Sequence, residues 1–411
     1  VIPGVLSYED IDTVTQANAE GRKIKVYHEE AGTGATTSVD LFVKRVDASR
    51  YAENKAWPDL RRTLLYARTE TRFYREIISL LPPNSAPKCY LAEYNLEGLI
   101  DDNTHVLDES LTDIPPLLLE NEARKIEQLK DRGATIILES LCPQHYIQDS
   151  PLTLEQAKQS LQALARLHAS TWEQKDLLAK AEERLSKTVY HLPMRNPQEL
   201  IGMEESWNNF LKEFQSNDTN KLFEKSSIQN LGKRMVLMAE YIAEELSPRP
   251  TDKYVSICHG DYKAMNVFLP CNSKSDGDAI MIDFASSGVG YGMCDVAMHT
   301  THAIHPSHLI DGQEEALVAM YLEELEKIFA RDSASFAYPR QIAMRHYRLA
   351  VIDYFRFILG RFWKGATPSA FDKRKDNKNT VLVNRNVDAA FALIEKVDQY
   401  LYEFEVEHGK G

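Results

Sequence analysis

Cysteine is scarce in this chain. The five present (Cys89, Cys142, Cys258, Cys271 and Cys294) are odd in number and form no C-x-x-C pair. That excludes a disulfide framework and a thiolate zinc site, and reads as free thiols in a reducing, cytoplasmic compartment. Long hydrophobic runs are missing too. The most apolar stretch, residues 349–362, is interrupted by Asp353, Arg356 and Arg361, so no membrane span is expected. No signal-peptide pattern opens the sequence, and its start at Val1 instead of Met leaves room for a removed organellar targeting peptide. Positive charge is in deficit: 48 Lys and Arg stand against 61 Asp and Glu, a net charge of −13. That argues against a nucleic-acid backbone as the main partner. A cationic ligand is compatible with the deficit, but a solvated acidic surface is the simpler explanation. With 411 residues, 43% of them hydrophobic, the chain has enough apolar material for a core in one large or two modest domains.

What the sequence does have is a polar centre between two apolar strands. Residues 257–269 enter and leave on apolar side chains and hold His259, Asp261 and Asn266 in the order H-x-D-x-x-x-x-N. A second apolar strand follows and ends in an acid, Ala279-Ile-Met-Ile-Asp283-Phe284. Phosphoryl transfer needs these parts. Asp261 is placed to receive or orient the acceptor hydroxyl proton; Asn266 and Asp283 supply an amide and a carboxylate to hold Mg²⁺ on the phosphates of ATP. A tight turn between core strands also uses Asp and Asn, and the second strand ending in Asp-Phe weighs against that reading.

His259 to Asn266, with Asp283, resemble the catalytic and metal loops of the aminoglycoside phosphotransferase and choline kinase group. Within it, Thr153-Leu-Glu-Gln-Ala-Lys through Leu164-Ala-Arg-Leu-His-Ala-Ser-Thr-Trp172 resembles the ecdysteroid-kinase-like branch. The resemblance covers residues 24–365. It implies an α+β, two-lobed protein-kinase-like fold: a small antiparallel β lobe over 1–140, with an insertion near 95–132, and a larger, mainly helical lobe over 141–411. It further implies ATP and Mg²⁺ between the lobes and a small-molecule hydroxyl as acceptor. A catalytically silent kinase-like binding or assembly subunit is the alternative, and intact Lys44, Asp261, Asn266 and Asp283 weigh against it. A protein kinase is disfavoured. Ala285 stands where Gly would follow Asp-Phe, the catalytic loop reads His-Gly-Asp without Arg, and no activation segment or A-P-E fits between Asp283 and Asp295.

The remaining expectations follow from this resemblance. Lys44, closing Leu-Phe-Val-Lys, looks like the strand lysine that pairs with the α- and β-phosphates. Glu70 matches the E-x-x-F-Y pattern and is its expected carboxylate partner, with Glu76 in reserve. Gly32 and Gly34, in a small-residue loop after the strand 23–30, are candidates to lay backbone N–H groups over phosphate, or form a plain hairpin turn. Their position is awkward, because Lys44 follows too soon. The strand 134–141 resembles the one leading to the interlobe hinge, placing adenine against the backbone near Glu139 and Leu141. Lys263 is a candidate to neutralise the transferred phosphate, or a solvated loop lysine. Asp295 resembles the structural Asp that caps the catalytic loop.

Other features have plain structural readings beside functional ones. Helix 153–172 opens with a capping box, Thr153 to Gln156, and His168 on its apolar stripe reads as a core histidine. A helix is expected near 116–130, and residues 1–20 give no pattern. Trp207 and Phe210 are candidates for the acceptor wall, with core packing as the default. His299, His302, His305 and His308 lack a convincing fourth ligand for a metal and suit an acceptor-pocket lining better. Asp353 with Tyr347, Tyr354 and Trp363 offers charge and aromatic faces to an ammonium group, although an aromatic stripe at helical spacing is usually core.

Overall fold

Short-period alternation in the first third of the chain builds an antiparallel sheet. Its strands are β1 (Val5–Thr15), β2 (Glu20–Glu29), β3 (Thr36–Asp47), β4 (Cys89–Asn95) and β5 (Gly133–Glu139), in the order β1-β2-β3-β5-β4. The computed structural model describes residues 2–15, 19–30, 32, 34–102, 113–187, 198–271, 278–331 and 337–409. β1 gave no sequence signal for a physical reason. It pairs only with β2 at the sheet edge and is exposed along most of its length, with Leu6 and Tyr8 as open to water as Glu9 and Asp10. A strand with no buried face has no apolar period to read; its acids also suit an edge that must not recruit other chains.

The helix Trp57–Glu76 packs against β4 and β5. Pro58 and Asp59 in its first turn favour that start. It is buried nearly all round because two cores claim it. Trp57, Leu60, Leu64 and Leu65 pack with Leu96, Leu99, Ile100 and Leu129, while Phe73, Tyr74 and Ile77 join the main core. The expected insertion therefore covers the outer side of this helix; its residues 103–112 lie outside the described residues. The single helix expected near 116–130 is two pieces, a 3₁₀ turn at Pro116–Leu119 and a helix at Glu122–Leu129. Asn121 accepts the Arg124 N–H and restarts the helix there.

The second part of the chain is mainly helical. The helix Leu154–Ala169 opens on the expected capping box, with Gln156 N–H given to Thr153 and Thr153 N–H to Gln156. This helix packs on the strands Val255–Cys258 and Val267–Pro270 that flank the polar centre, and the helix Gly292–Ala303 packs on the first of them. The long helices Gln313–Arg331 and Arg340–Arg361 lie against those two helices, and Val387–Glu407 against Arg340–Arg361. The two aromatic groups weighed as acceptor walls take the core reading that was their default. Trp207 stacks on Phe210, which stacks on Phe214 and Trp363 at centroid distances of 4.3 and 4.2 Å. In the helix Arg340–Arg361, Asp353 is bound to Arg356 at 2.7 Å, Tyr347 donates to Glu314, and Trp363 donates to Asn384 at 2.7 Å. Asp353 is paired where an ammonium site would need it open. Among the described residues no helix is long and apolar enough to cross a membrane, and all five cysteines are free.

Phe73 joins the two parts: fully buried, it stacks on Phe284 with ring centroids 4.0 Å apart and planes 8° from parallel. Phe73→Ala should cost about 3–5 kcal/mol of stability, read as a lower urea midpoint. An unchanged midpoint would show that this contact holds nothing.

Candidate active site

The strand Val255–Cys258 delivers the chain to His259 and Gly260, whose backbone N–H groups have no sheet partner and go to one buried carboxylate. Asp295 accepts from His259 N at 2.7 Å and from Gly260 N at 2.8 Å, and its Oδ2 also meets His168 Nε2 at 3.1 Å. Asp295 sits in the first turn of the helix Gly292–Ala303, where the helix dipole favours negative charge. His168 is thus a satisfied core histidine. Its cluster with Cys258 and Asp295 is the one metal-like grouping among the described residues, but the carboxylate already serves three donors.

Gly260 turns at φ +85°, a region open to glycine at little cost. The buried His259 ring donates from Nε2 to the Ile282 carbonyl at 2.9 Å and accepts the Asp261 N–H at Nδ1. Burial pushes its pKa down, against the pull of Asp295, and a neutral ring suits both bonds. The histidine therefore joins the Asp261 loop to the strand end that carries Asp283.

Asp261 is reached by its neighbours in the loop. Lys263 Nζ lies 2.9 Å from Asp261 Oδ2, and Asn266 Nδ2 lies 2.8 Å from the Asp261 carbonyl and 3.2 Å from Oδ2. Burial works against the Lys263 charge, but Asp261 and then Asp283 raise its pKa. Backbone pairing of Ile282 N–H with the Asn266 carbonyl at 2.9 Å sets the two loops side by side. Asp283 then adopts φ +66°, a left-handed conformation that costs a non-glycine residue on the order of 1 kcal/mol.

That turn brings Asp283 to the sheet. Lys44 Nζ lies 2.9 Å from Asp283 Oδ1 and 2.7 Å from Glu70 Oε2. Burial opposes the ammonium charge, but Asp283 and Glu70 together outweigh it and hold the Lys44 pKa above the ordinary lysine range. Burial likewise pushes Asp283 up, and Lys44 and Lys263 overcome it, leaving the carboxyl well below its usual range. For Glu70, burial is the largest influence and raises the pKa despite Lys44. Glu76 pairs elsewhere, with Arg184 at 2.8 Å and Lys180 at 3.2 Å.

A cleft of about 450 Å³ runs between these groups, lined by Lys44, Glu70, Asp261, Lys263, Asn266 and Asp283, together with Val14, Ala19, Gln148 and Asn379. The structure does not bring Gly32 and Gly34 here. Lys44 pairs with Gly21 at the start of β2, and the Gly32 and Gly34 loop follows the far end of that strand, about 26 Å away at the usual strand rise. Ala31 and Thr33 of that loop lie outside the described residues. The glycine that packing demands near Lys44 is Gly21, where a Cβ would meet the Phe42 ring at 2.8 Å. Of the hinge candidates, Glu139 gives its N–H to the Lys88 carbonyl at 2.8 Å and Ser140 gives its own to Asp40 at 3.0 Å, so the Glu139 donor is already engaged. Leu141 is half-buried just beyond. The histidine cluster is divided: His299 and His302 are buried, with His299 Nδ1 against the Tyr262 carbonyl at 3.2 Å, while His305 bonds to Ser307 at the surface. Val14, Ala19, Gln148 and Asn379 carried no motif that would have marked them.

Residues 23–331 match the family model of the ecdysteroid kinase-like family. The chain belongs to the ecdysteroid kinase-like family. Solved structures of similar arrangement include choline kinase LicA from Streptococcus pneumoniae, 12% identical over 96% of this chain and 95% of that chain with a TM-score of 0.38. A choline/ethanolamine kinase family protein from Mesorhizobium loti is 11% identical over 96% and 92%, with a TM-score of 0.39. Amicoumacin kinase hAmiN, solved with AMP-PNP, Ca²⁺ and Ami, is 10% identical over 94% and 87%, with a TM-score of 0.45. No curated protein matches the chain.

Burial pushes His299 of this ecdysteroid kinase-like chain down to about 4, and lowers His259 and His302 as well. Each is a base whose folded pKa lies below its unfolded value. Below about pH 6.5 the unfolded chain takes up protons that the folded one refuses, so stability falls as pH falls. For His299 alone the loss by about pH 4 is on the order of 3 kcal/mol. Tm should drop between about pH 7 and pH 5, and His299→Asn should flatten the drop; parallel slopes for the two proteins would contradict this.

Proposed function

We propose that this chain is an ATP-dependent phosphotransferase that moves the γ-phosphoryl group to a hydroxyl of a small molecule. The observation that carries this reading is the meeting, in one cleft, of the Asp261 carboxylate with the Lys44, Glu70 and Asp283 cluster. In phosphoryl transfer most of the catalytic work is positioning and charge compensation, and the residues divide along those lines. Asp261 receives or orients the acceptor hydroxyl proton. Lys263, held at its side, offsets charge on the phosphoryl group in transit. Lys44 binds the α- and β-phosphates, and Glu70 keeps its ammonium in place. Asn266 spends Nδ2 on Asp261 and keeps Oδ1, while Asp283 keeps a carboxylate oxygen beyond the one on Lys44. Hard oxygen donors of this kind fit Mg²⁺, whose part is to offset charge on the bridging phosphates. With the Glu139 N–H engaged, the adenine edge falls to the backbone around Leu141. The family description makes an ecdysteroid the first acceptor to try.

The reading stands on Asp261. Asp261→Asn keeps shape and hydrogen-bonding capacity but loses the basic oxygen. The expected result is a fall in kcat of about a hundred- to ten-thousand-fold, with Mg-ATP affinity nearly unchanged. Equal turnover of wild type and variant with a good acceptor would remove Asp261 from the chemistry. Mg-ATP binding with no transfer to any hydroxyl compound would favour a silent binding subunit.

A further inference from the structure

Residues 366–384 read in sequence as a basic, polar surface loop, and they lie beyond the residues that the family model matches. Part of this segment is firmly tied down. Arg385, 8% exposed, donates from Nε to the Thr380 carbonyl at 3.0 Å and from Nη1 to the Lys375 carbonyl at 2.8 Å. Its Nη2 reaches the Ser150 carbonyl at 3.1 Å and Ser150 Oγ at 2.9 Å. Lys378 adds an ion pair to Asp149 at 2.7 Å. One buried guanidinium thus clamps both ends of the turn 375–380 onto Ser150, a task its planar set of five donors suits and a lysine would not.

The other side of that attachment is the catalytic loop. Gln148, adjacent to Asp149, donates from Nε2 to the Met265 carbonyl, next to Asn266. The clamped turn is therefore registered to the loop that carries Asp261, and its Asn379 lines the cleft together with Gln148, Asp261 and Lys263. Lys44, Asn266 and Asp283 account for the phosphates and metal. The uncharged amide of Asn379 comes from a separate C-terminal segment tied through residues 148–150 to the loop of Asp261, and none of those roles uses it.

We propose that Asn379 is an acceptor-positioning residue: its side-chain amide hydrogen-bonds a polar group of the small molecule whose hydroxyl meets Asp261, and Arg385 holds it there. This rests on the phosphotransferase reading. An amide offers two donors and an acceptor without charge, so it orients a neighbouring hydroxyl or carbonyl of the acceptor. Asn379 is exposed, so its replacement should leave the fold alone.

The test uses the full chain, Mg-ATP and a panel of ecdysone, choline, kanamycin, glycerol and adenosine; the compound phosphorylated fastest is the probe. Asn379→Ala should raise the KM for that compound about tenfold, the worth of one hydrogen bond, with kcat and the KM for ATP within about twofold. Arg385→Met should raise the same KM, and the double variant should be little worse than either single one, because both act through one side chain. An unchanged acceptor KM in Asn379→Ala, or an equal rise in the KM for ATP, overturns the proposal while leaving the phosphotransferase reading in place. Wild type that binds no Mg-ATP, or binds it and phosphorylates nothing in the panel, overturns both.

Discussion

One ammonium group holds the site together. Lys44 leaves the sheet, meets Glu70 on the helix Trp57–Glu76, and meets Asp283 at the end of a strand in the helical part of the chain. Three elements distant in sequence share a single cation. Removing either carboxylate leaves the other groups buried with their charges out of balance, which is far more damaging than the modest net value of an exposed pair. The shared cation also fixes the sheet against the strand end that carries Asp283, along one side of the cleft.

Much of the remaining structure keeps those three elements where Lys44 needs them. The helix bearing Glu70 is held from outside by Leu96, Leu99, Ile100 and Leu129. Arg68 donates to the Asp101 carbonyl at 3.0 Å and Arg72 to Asp102 at 2.8 Å. At its end Glu76, offered by the sequence as a second partner for Lys44, ties the helix to Arg184 instead. The strand bearing Asp283 is held by Phe284 stacked on Phe73 and by His259 bound to the Ile282 carbonyl. Asp295 fixes the loop between them through two backbone N–H groups. Residues 96–102 and Leu129, in a stretch that the sequence left without a role, brace the Glu70 helix.

What was legible in the sequence was local. Asp261, Asn266 and Asp283 stand close together along the chain, with apolar strands to mark their setting, while Lys44 closes one recognisable short pattern and Glu70 opens another. The capping box at Thr153 could be read residue by residue because its bonds span three positions. What was not legible depended on tertiary partners. β1 has no buried face, so its alternation carried no information. Gly32 and Gly34 could be read by composition as a phosphate loop or a plain hairpin turn, and strand pairing, which puts Gly21 opposite Lys44, decides against the first. Asp353, Tyr347 and Trp363 left a cation site open beside the preferred core reading, because sequence does not display the Arg356, Glu314 and Asn384 that engage them. Asn379 reaches the cleft only because a buried arginine six residues on binds its loop to Ser150, a contact across more than half the chain.

The central claim is that Lys44 and Glu70 act as one unit in holding nucleotide. The most direct test is Mg-ATP affinity, by calorimetry, for Lys44→Met, Glu70→Gln and the double variant. If the account holds, each single change weakens binding by about tenfold or more and the double variant binds no worse than Lys44→Met, a large coupling between contacting groups. Costs that simply add, or a Glu70→Gln protein that binds Mg-ATP as wild type does, would contradict it.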